Sequence, residues 1–139
     1  MNPKAVELQA RTQRFATAVI RFCDRLPKDV ATQKIVGQLL DSAGSTDSNY
    51  RATCRARSPE EFIAKIGVAA EEADESKGWL MLLVSSSRAS LEDARDLIEE
   101  ADELTAIFVA SRKTAKRRKH ERERLERQLR EQPGRRRPK

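Results

Sequence analysis

Apolar and small side chains recur along much of this sequence at alternating steps of four and three positions. The clearest series is Phe62, Ile66, Ala69, Ala73, Ser76, Leu80 and Leu83. This heptad spacing places every member on one face of an α-helix and is typical of helices that pack in bundles. Two further segments repeat it, with the series Leu8, Thr12, Phe15, Val19, Phe22, Leu26 and Ala94, Leu97, Ala101, Leu104, Phe108. Three amphipathic helices are therefore predicted.

Residues with strong local preferences indicate where these helices begin and end. Asn2-Pro3 predicts an N-cap and a first-turn proline, and Pro27 ends the first helix because the residue before a proline avoids helical geometry. Ser58-Pro59 followed by Glu61 predicts a capping box at the start of the third helix. The fourth helix is expected to begin near Ser90.

The segment from residue 29 to residue 56 carries conflicting signals. It contains Gly37 and Gly44, and residues 45–49 are all poor helix formers. Local propensity predicts that a helix here breaks at Gly44 and restarts behind a serine or threonine cap. The alternative is one continuous helix, in which Ser42, Thr46 and Asn49 form hydrogen bonds inside the bundle.

Charge divides the 139 residues into two parts. Residues 1–111 carry 14 Lys/Arg and 18 Asp/Glu, whereas residues 112–139 carry 14 Lys/Arg and 4 Asp/Glu. We therefore expect one helical domain over residues 1–111 and a basic tail over residues 112–139, which is helical at first and disordered at its end. The asymmetry indicates an anionic partner for the tail.

The sequence also bears on location. No apolar run reaches the length of about 18 residues that a membrane span needs, and the N-terminus lacks the apolar core of a signal peptide. A cytoplasmic protein without a membrane partner is expected. In that compartment Cys23 and Cys54, which are far apart and have no C-x-x-C partner, are expected to be small buried hydrophobic residues.

Residue types that carry catalysis are scarce. His120 is the only histidine and lies in the basic tail, which argues against a Ser-His-Asp or Cys-His arrangement and against a metal site. The acidic run Glu71, Glu72, Asp74 and Glu75 lacks the Glu-x-x-His pairs of di-metal bundles, so a solvated face is the favoured interpretation. We expect no catalytic residue, metal or cofactor, and an enzyme that uses this acidic run is the least favoured alternative.

One polar group on the second and third helices allows two interpretations. It comprises Asn49, Arg51, Arg55, Arg57, Glu72 and Glu75. The group forms a recognition patch in one interpretation, because Arg51 and Arg55 are one helical turn apart. In the other, which we favour, Asn49 and Glu72 or Glu75 tie the two helices or neighbouring subunits together through charge-assisted hydrogen bonds.

The basic tail is the strongest functional signal. Six positive and no negative charges fall between residues 112 and 119. Lysine and arginine at this density bind phosphate backbones through counterion release, without base specificity. The tail has no aromatic residue to stack on bases, so binding is expected to be mainly electrostatic. The candidate residues are Arg112, Lys113, Lys116, Arg117, Arg118, Lys119, Arg122, Arg124, Arg127, Arg130, Arg135, Arg136 and Arg137.

Two short motifs carry a resemblance to a known family. They are Asn-Tyr-Arg at residues 49–51 and Ala-Arg-Ser-x-x-Glu-Phe-Ile at residues 56–63. With the surrounding sequence, over roughly residues 8–110, they resemble the four-helix bundle protein family first noticed in intervening sequences of bacterial 23S ribosomal RNA genes. The resemblance implies an antiparallel, up-and-down four-helix bundle with a continuous second helix. It also implies a ring of five subunits.

The tail and the resemblance together predict a non-enzymatic homo-oligomer, expected to be a pentamer, that binds RNA or DNA with low sequence specificity. RNA is preferred because of the ribosomal RNA gene context. Similarity to accessory proteins of diversity-generating retroelements implies a narrower version, in which the ring docks on a reverse transcriptase and its nucleic acid. The rival hypothesis is a protein-interaction adaptor or scaffold whose tail only keeps it soluble.

Overall fold

Four α-helices joined by short loops make up residues 2–134, the part of the chain that the computed structural model describes. They are α1 (Pro3–Asp24), α2 (Val30–Cys54), α3 (Pro59–Ser85) and α4 (Leu91–Glu131). Each helix packs on the next, and α1 closes the bundle against α4 through a smaller contact. Neighbouring helices run antiparallel, as Lys77 beside Asp102 and Lys119 beside Glu60 show for α3 and α4. The predicted all-α four-helix bundle is confirmed.

Side-chain caps begin all four helices where the local sequence indicates. An oxygen of each capping side chain accepts a backbone amide hydrogen bond of 2.8 to 3.2 Å, and the caps are Asn2, Asp29, Ser58 and Ser90. The capping box of α3 differs from the prediction in the hydrogen bond that the Glu61 side chain accepts. Glu61 accepts a hydrogen bond from the backbone amide of Arg57 at 3.3 Å, one residue before the cap.

The heptad stripes form the core of the bundle. Each helix contributes fully buried large side chains, among them Val19, Leu39, Leu80 and Leu104. Small residues on α3 and α4 are equally buried and let these two helices pack closely over a long distance; they are Ala69, Ala73, Ala94 and Ala101. The ring of Phe108 in α4 stacks on Tyr50 of α2 with 5.3 Å between ring centroids, so the aromatic pair joins two helices that are not consecutive.

Helix α2 is continuous through Gly44, as the resemblance implies, and the break that local propensity alone would predict does not occur. The hydroxyl groups on its buried face have hydrogen-bond partners. Thr46 donates to the carbonyl of Ser42 at 2.8 Å, and Ser76 of α3 donates to the hydroxyl of Ser42 at 2.9 Å. Packing and satisfied polar groups stabilise a helix that isolated propensity disfavours.

Replacing Gly44 with alanine is expected to raise the free energy of unfolding by about 0.5–1 kcal/mol, because alanine loses less conformational freedom in a helix. A Cβ atom at Gly44 would meet nothing within 4 Å. The matched control is Gly67→Ala in α3, where the new Cβ would lie 3.1 Å from Arg112 Nε and the gain should be smaller. Urea unfolding of both variants checks this, and destabilisation by Gly44→Ala would contradict it.

Helix α4 passes Ser111 without interruption and ends at Glu131, just before Gln132 and Pro133. Its residues as far as Arg122 lie beside the first turns of α3, with Lys119 next to Glu60. The first part of residues 112–139 is therefore helical and in contact with the bundle. The disorder expected at the end of the chain concerns mainly residues 135–139, which lie outside the described residues.

Candidate nucleic-acid interface

Ten of the candidate lysines and arginines lie on α4 between residues 112 and 130, which we call the basic segment. Nine of them are exposed, and Lys119 is partly buried. At 1.5 Å per residue the segment is about 27 Å long, and at about 3.6 residues per turn its charges point to all sides of the helix. The other three candidates, Arg135, Arg136 and Arg137, lie outside the described residues.

Contacts with α3 position the first half of the basic segment. Gly67 has no side chain where Arg112 crosses α3, and a Cβ atom there would come within 3.1 Å of Arg112 Nε. Farther along, Lys119 Nζ lies 3.6 Å from Glu60 Oε1 and 3.8 Å from Glu123 Oε1. Within residues 2–134, Lys119 is the only one of the ten basic residues with a carboxylate oxygen inside 4 Å. The other nine positive charges remain available to an external anion.

The structure does not bring the polar group of α2 and α3 together as one site. Asn49 is partly buried, and its Nδ2 donates to the carbonyl of Ser45 in its own helix at 2.8 Å. Within the described part of the chain, it forms no hydrogen bond with Glu72 or Glu75. Across the α2–α3 interface the tie is the hydroxyl pair of Ser42 and Ser76. A role for Asn49 between subunits stays a prediction.

The arginines of that group have different surroundings. Arg55 caps the C-terminus of α2, and Arg57 lies in the loop before α3; both are exposed. Arg57 stands two residues before Pro59, which borders the basic segment at Arg118 and Arg122. The α2–α3 loop and the basic segment therefore occupy the same end of the bundle.

A buried carboxylate between α1 and α2 escaped the sequence analysis. Asp47 is 8% exposed; its Oδ1 accepts a hydrogen bond of 2.9 Å from the hydroxyl of Thr12, and its Oδ2 lies 3.2 Å from Arg51 Nη2. The sequence feature that could have indicated this ion pair is an aspartate four positions before an arginine in the same helix. Arg51 is thus oriented by a partner in its own chain, which gives this candidate recognition residue a structural role.

Burial raises the pKa of Glu72, and the nearby charges of Glu75, Glu71 and Asp41 raise it further. A carboxyl whose pKa is higher in the folded than in the unfolded state destabilises the fold when ionised, and this effect fades as the pH falls through the folded pKa. Glu72→Gln is therefore expected to stabilise the protein at neutral pH and to lose this advantage in acid.

Urea unfolding of Glu72→Gln and the parent chain, from neutral pH down through the carboxyl range, measures this difference. The matched control is Glu71→Gln, which removes an equal charge from an exposed position. If the advantage of Glu72→Gln were the same at every pH, ionisation of the partly buried Glu72 carboxyl among its acidic neighbours would not be its cause.

The opposite half of α4 carries acidic side chains instead. The weaker contact of α1 with α4 leaves a groove of about 410 Å³ whose rim includes Asp96, Glu99, Glu100 and Glu103. Arg11 donates to Glu100 Oε2 at 2.8 Å and also contacts Glu103, and its hydrogen bond to Glu100 raises the pKa of the guanidinium. Carboxylates repel a phosphate backbone, so the two halves of α4 differ in the sign of the charge that they present to an anion.

Other candidate chemistry has little support in residues 2–134. No group of three or more His, Cys, Asp or Glu is placed to hold a metal ion in this part of the chain. Cys23 is buried, and burial raises the pKa of its thiol to about 11. Cys54 is only partly buried, so the expectation of a buried cysteine holds fully for Cys23 alone. None of the described helices has the length and apolar character of a membrane span.

Comparisons with known families and structures agree with this fold. The family model for the 23S rRNA-intervening sequence protein matches residues 4–110, which leaves the basic segment outside the matched region. A crystal structure of a protein of unknown function from the S23 ribosomal protein family of Bacteroides thetaiotaomicron is similar, with a TM-score of 0.70 and 26% sequence identity over 79% of this chain and 98% of that chain. No curated protein matches the chain significantly. The chain belongs to the 23S rRNA-intervening sequence protein family.

Proposed function

We propose that this protein is a non-enzymatic, cytoplasmic, homo-oligomeric RNA-binding protein that contacts the phosphate backbone through the basic segment of α4. The observation that carries the proposal is the set of nine positive charges on one continuous helix that, within residues 2–134, have no carboxylate oxygen within 4 Å. Lysine and arginine in this arrangement release counterions from nucleic acid, so affinity should be high at low salt and should fall steeply as salt increases. DNA of similar length should bind through the same contacts.

RNA is the preferred ligand because the family is named for intervening sequences of 23S rRNA. A more specific form of the proposal is that the protein docks on an RNA-handling enzyme, such as a reverse transcriptase, and holds its nucleic acid. Binding to such an enzyme that persists without the basic charges would favour the second candidate function, an adaptor. Exposed apolar side chains on α2 and α3 support that candidate, among them Val30, Leu40, Val68 and Met81.

Several copies are expected to act together, and five is the expected number. Apolar residues beside the core stripes are available for contact between copies: Ile20 is 53% exposed, and Ile63 and Ile98 are partly buried. One basic segment is expected to bind RNA weakly. When several segments belong to one assembly, binding of the first keeps the others at high effective concentration near the same RNA.

The assembly is expected to be a single species larger than a dimer at micromolar concentration. Multi-angle light scattering checks its mass, and Ile20→Asp should lower the mass if this exposed residue lies between copies. The exposed residue Thr17, changed to aspartate, is the matched control on the same helix. A monomer mass at every concentration would contradict the oligomer.

Binding to RNA of different lengths tests the function directly. The full chain should bind a single strand of about 30 nucleotides much better than one of about 8, with little sequence preference and a strong salt dependence. Fluorescence anisotropy at several salt concentrations measures this. Affinity that does not change with salt would refute binding through the basic segment.

A further inference from the structure

We propose that the groove between the start of α3 and the basic segment is a stacking site for one base of single-stranded nucleic acid, with the ring of Phe62 as its platform. This inference rests on the proposed function and adds a site that distinguishes single-stranded from double-stranded nucleic acid. It also changes the expectation, drawn from the tail alone, that no aromatic residue is available to a bound strand.

The groove is formed by residues that are far apart in the sequence. Pro59 and Phe62 come from the first turns of α3, Ala115, Arg118 and Arg122 come from α4, and the volume between them is about 430 Å³. Phe62 is only partly buried: it packs against the core and also lines the groove. Ala115 is the smallest residue of the α4 wall, and a larger side chain at this position would extend into the groove.

The charges around the groove suit a phosphate backbone that passes over it. In residues 2–134 neither Arg118 nor Arg122 has a carboxylate oxygen within 4 Å. The two carboxylates of the first turn of α3 are already engaged, Glu60 by Lys119 at 3.6 Å and Glu61 by Lys65 at 3.7 Å. The two arginines, which are one helical turn apart on the α4 wall, can therefore hold phosphates of a strand whose base is placed on the ring.

The chemistry of the groove favours a single strand over a duplex. Every base has a π-face that can stack on a phenylalanine ring, and arginines beside the ring add electrostatic attraction. In a duplex the same faces are stacked within the helix, so only the phosphate contacts remain. The stacking contact thus adds binding free energy that salt screens weakly. The phosphate contacts supply binding free energy that salt screens strongly.

The test compares a 30-nucleotide RNA single strand with the duplex of the same sequence, using the full chain and Phe62→Leu. Leucine keeps an apolar side chain against the core and removes the ring, and Phe62→Tyr is the matched control that keeps it. We expect Phe62→Leu to lower single-strand affinity by about 10-fold, the usual effect of losing one base–aromatic stack, with duplex affinity unchanged. Phe62→Tyr should behave like the parent chain.

A second variant and a second readout keep the result independent of folding defects. Ala115→Met fills the groove without altering Phe62 and should reduce single-strand binding selectively as well. In a strand that contains 2-aminopurine, stacking on the ring should quench the probe with the parent chain and much less with Phe62→Leu. Circular dichroism confirms that each variant is helical.

The outcomes separate the site from the function. If the parent chain bound neither the single strand nor the duplex, the proposed function itself would fail. If it bound both with a steep salt dependence while Phe62→Leu and Ala115→Met left the single-strand preference and the probe signal unchanged, the stacking site alone would be refuted.

Discussion

Changing Lys113, Lys116, Arg117, Arg124 and Arg127 together to glutamine should weaken binding of a 30-nucleotide RNA by at least about 100-fold near 100 mM salt. Each phosphate contact of a single strand contributes about 0.7 to the magnitude of the slope of log K against log salt, so losing five contacts should lower that magnitude by about 3.5. Fluorescence anisotropy over a series of salt concentrations measures the affinity and the slope in one experiment.

Within residues 2–134, none of these five side chains has a carboxylate oxygen of α3 within 4 Å. The variant leaves Arg112 over Gly67, Lys119 beside Glu60, and Arg118 and Arg122 at the groove. Deleting residues 112–139 would remove all of these contacts together with the charge. Neutralisation therefore tests the charge and leaves the packing of α4 in place.

A second set of five exposed basic residues on the bundle is the matched control: Lys4, Arg14, Arg21, Lys34 and Arg95. Changing these to glutamine removes the same net charge from a different place and should alter the slope little. If both variants bound equally, the protein's overall charge would account for the binding. If the first variant bound like the parent chain, the segment would only keep the protein soluble, and Arg51, Arg55 and Arg57 would become the positions to examine.

Phe108→Ala is expected to lower the free energy of unfolding by about 3–5 kcal/mol, the usual range for a large aromatic side chain removed from a core. Phe108 is fully buried, and its ring stacks on Tyr50. The substitution leaves a cavity and removes the aromatic contact that joins α2 to α4. For a protein of this size the loss is a large fraction of the total stability.

Urea unfolding followed by circular dichroism, at one fixed protein concentration, measures the loss. Phe108→Leu should cost less than half as much, because leucine fills most of the space, and Val109→Ala at an exposed neighbouring position should change stability by less than about 0.5 kcal/mol. Equal effects of Phe108→Ala and Val109→Ala would show that Phe108 is not in the core.

Local chemistry explains what was predictable about the fold. A heptad stripe such as that from Phe62 to Leu83 gives a helix only one face to bury. Such stripes therefore indicate which segments are helices and which of their residues lie in the core. Ser58 and Ser90 act as caps because they lie next to the amides they bind. α2 was harder to predict, since the hydroxyl partner of Ser42 belongs to another helix, at Ser76.

The charge division and the basic segment were likewise evident from composition, because a run of arginines and lysines needs no partner to be recognised. The sequence alone thus determined three of the four helices, most of the core and the place where positive charge is concentrated. Only the tertiary structure decided that the basic segment continues α4, that Asp47 is buried against Thr12, and that Phe62 lies beside Arg118 and Arg122. The physical reason is distance along the chain: caps and stripes depend on neighbours within a few residues, whereas these contacts form only when separate helices pack.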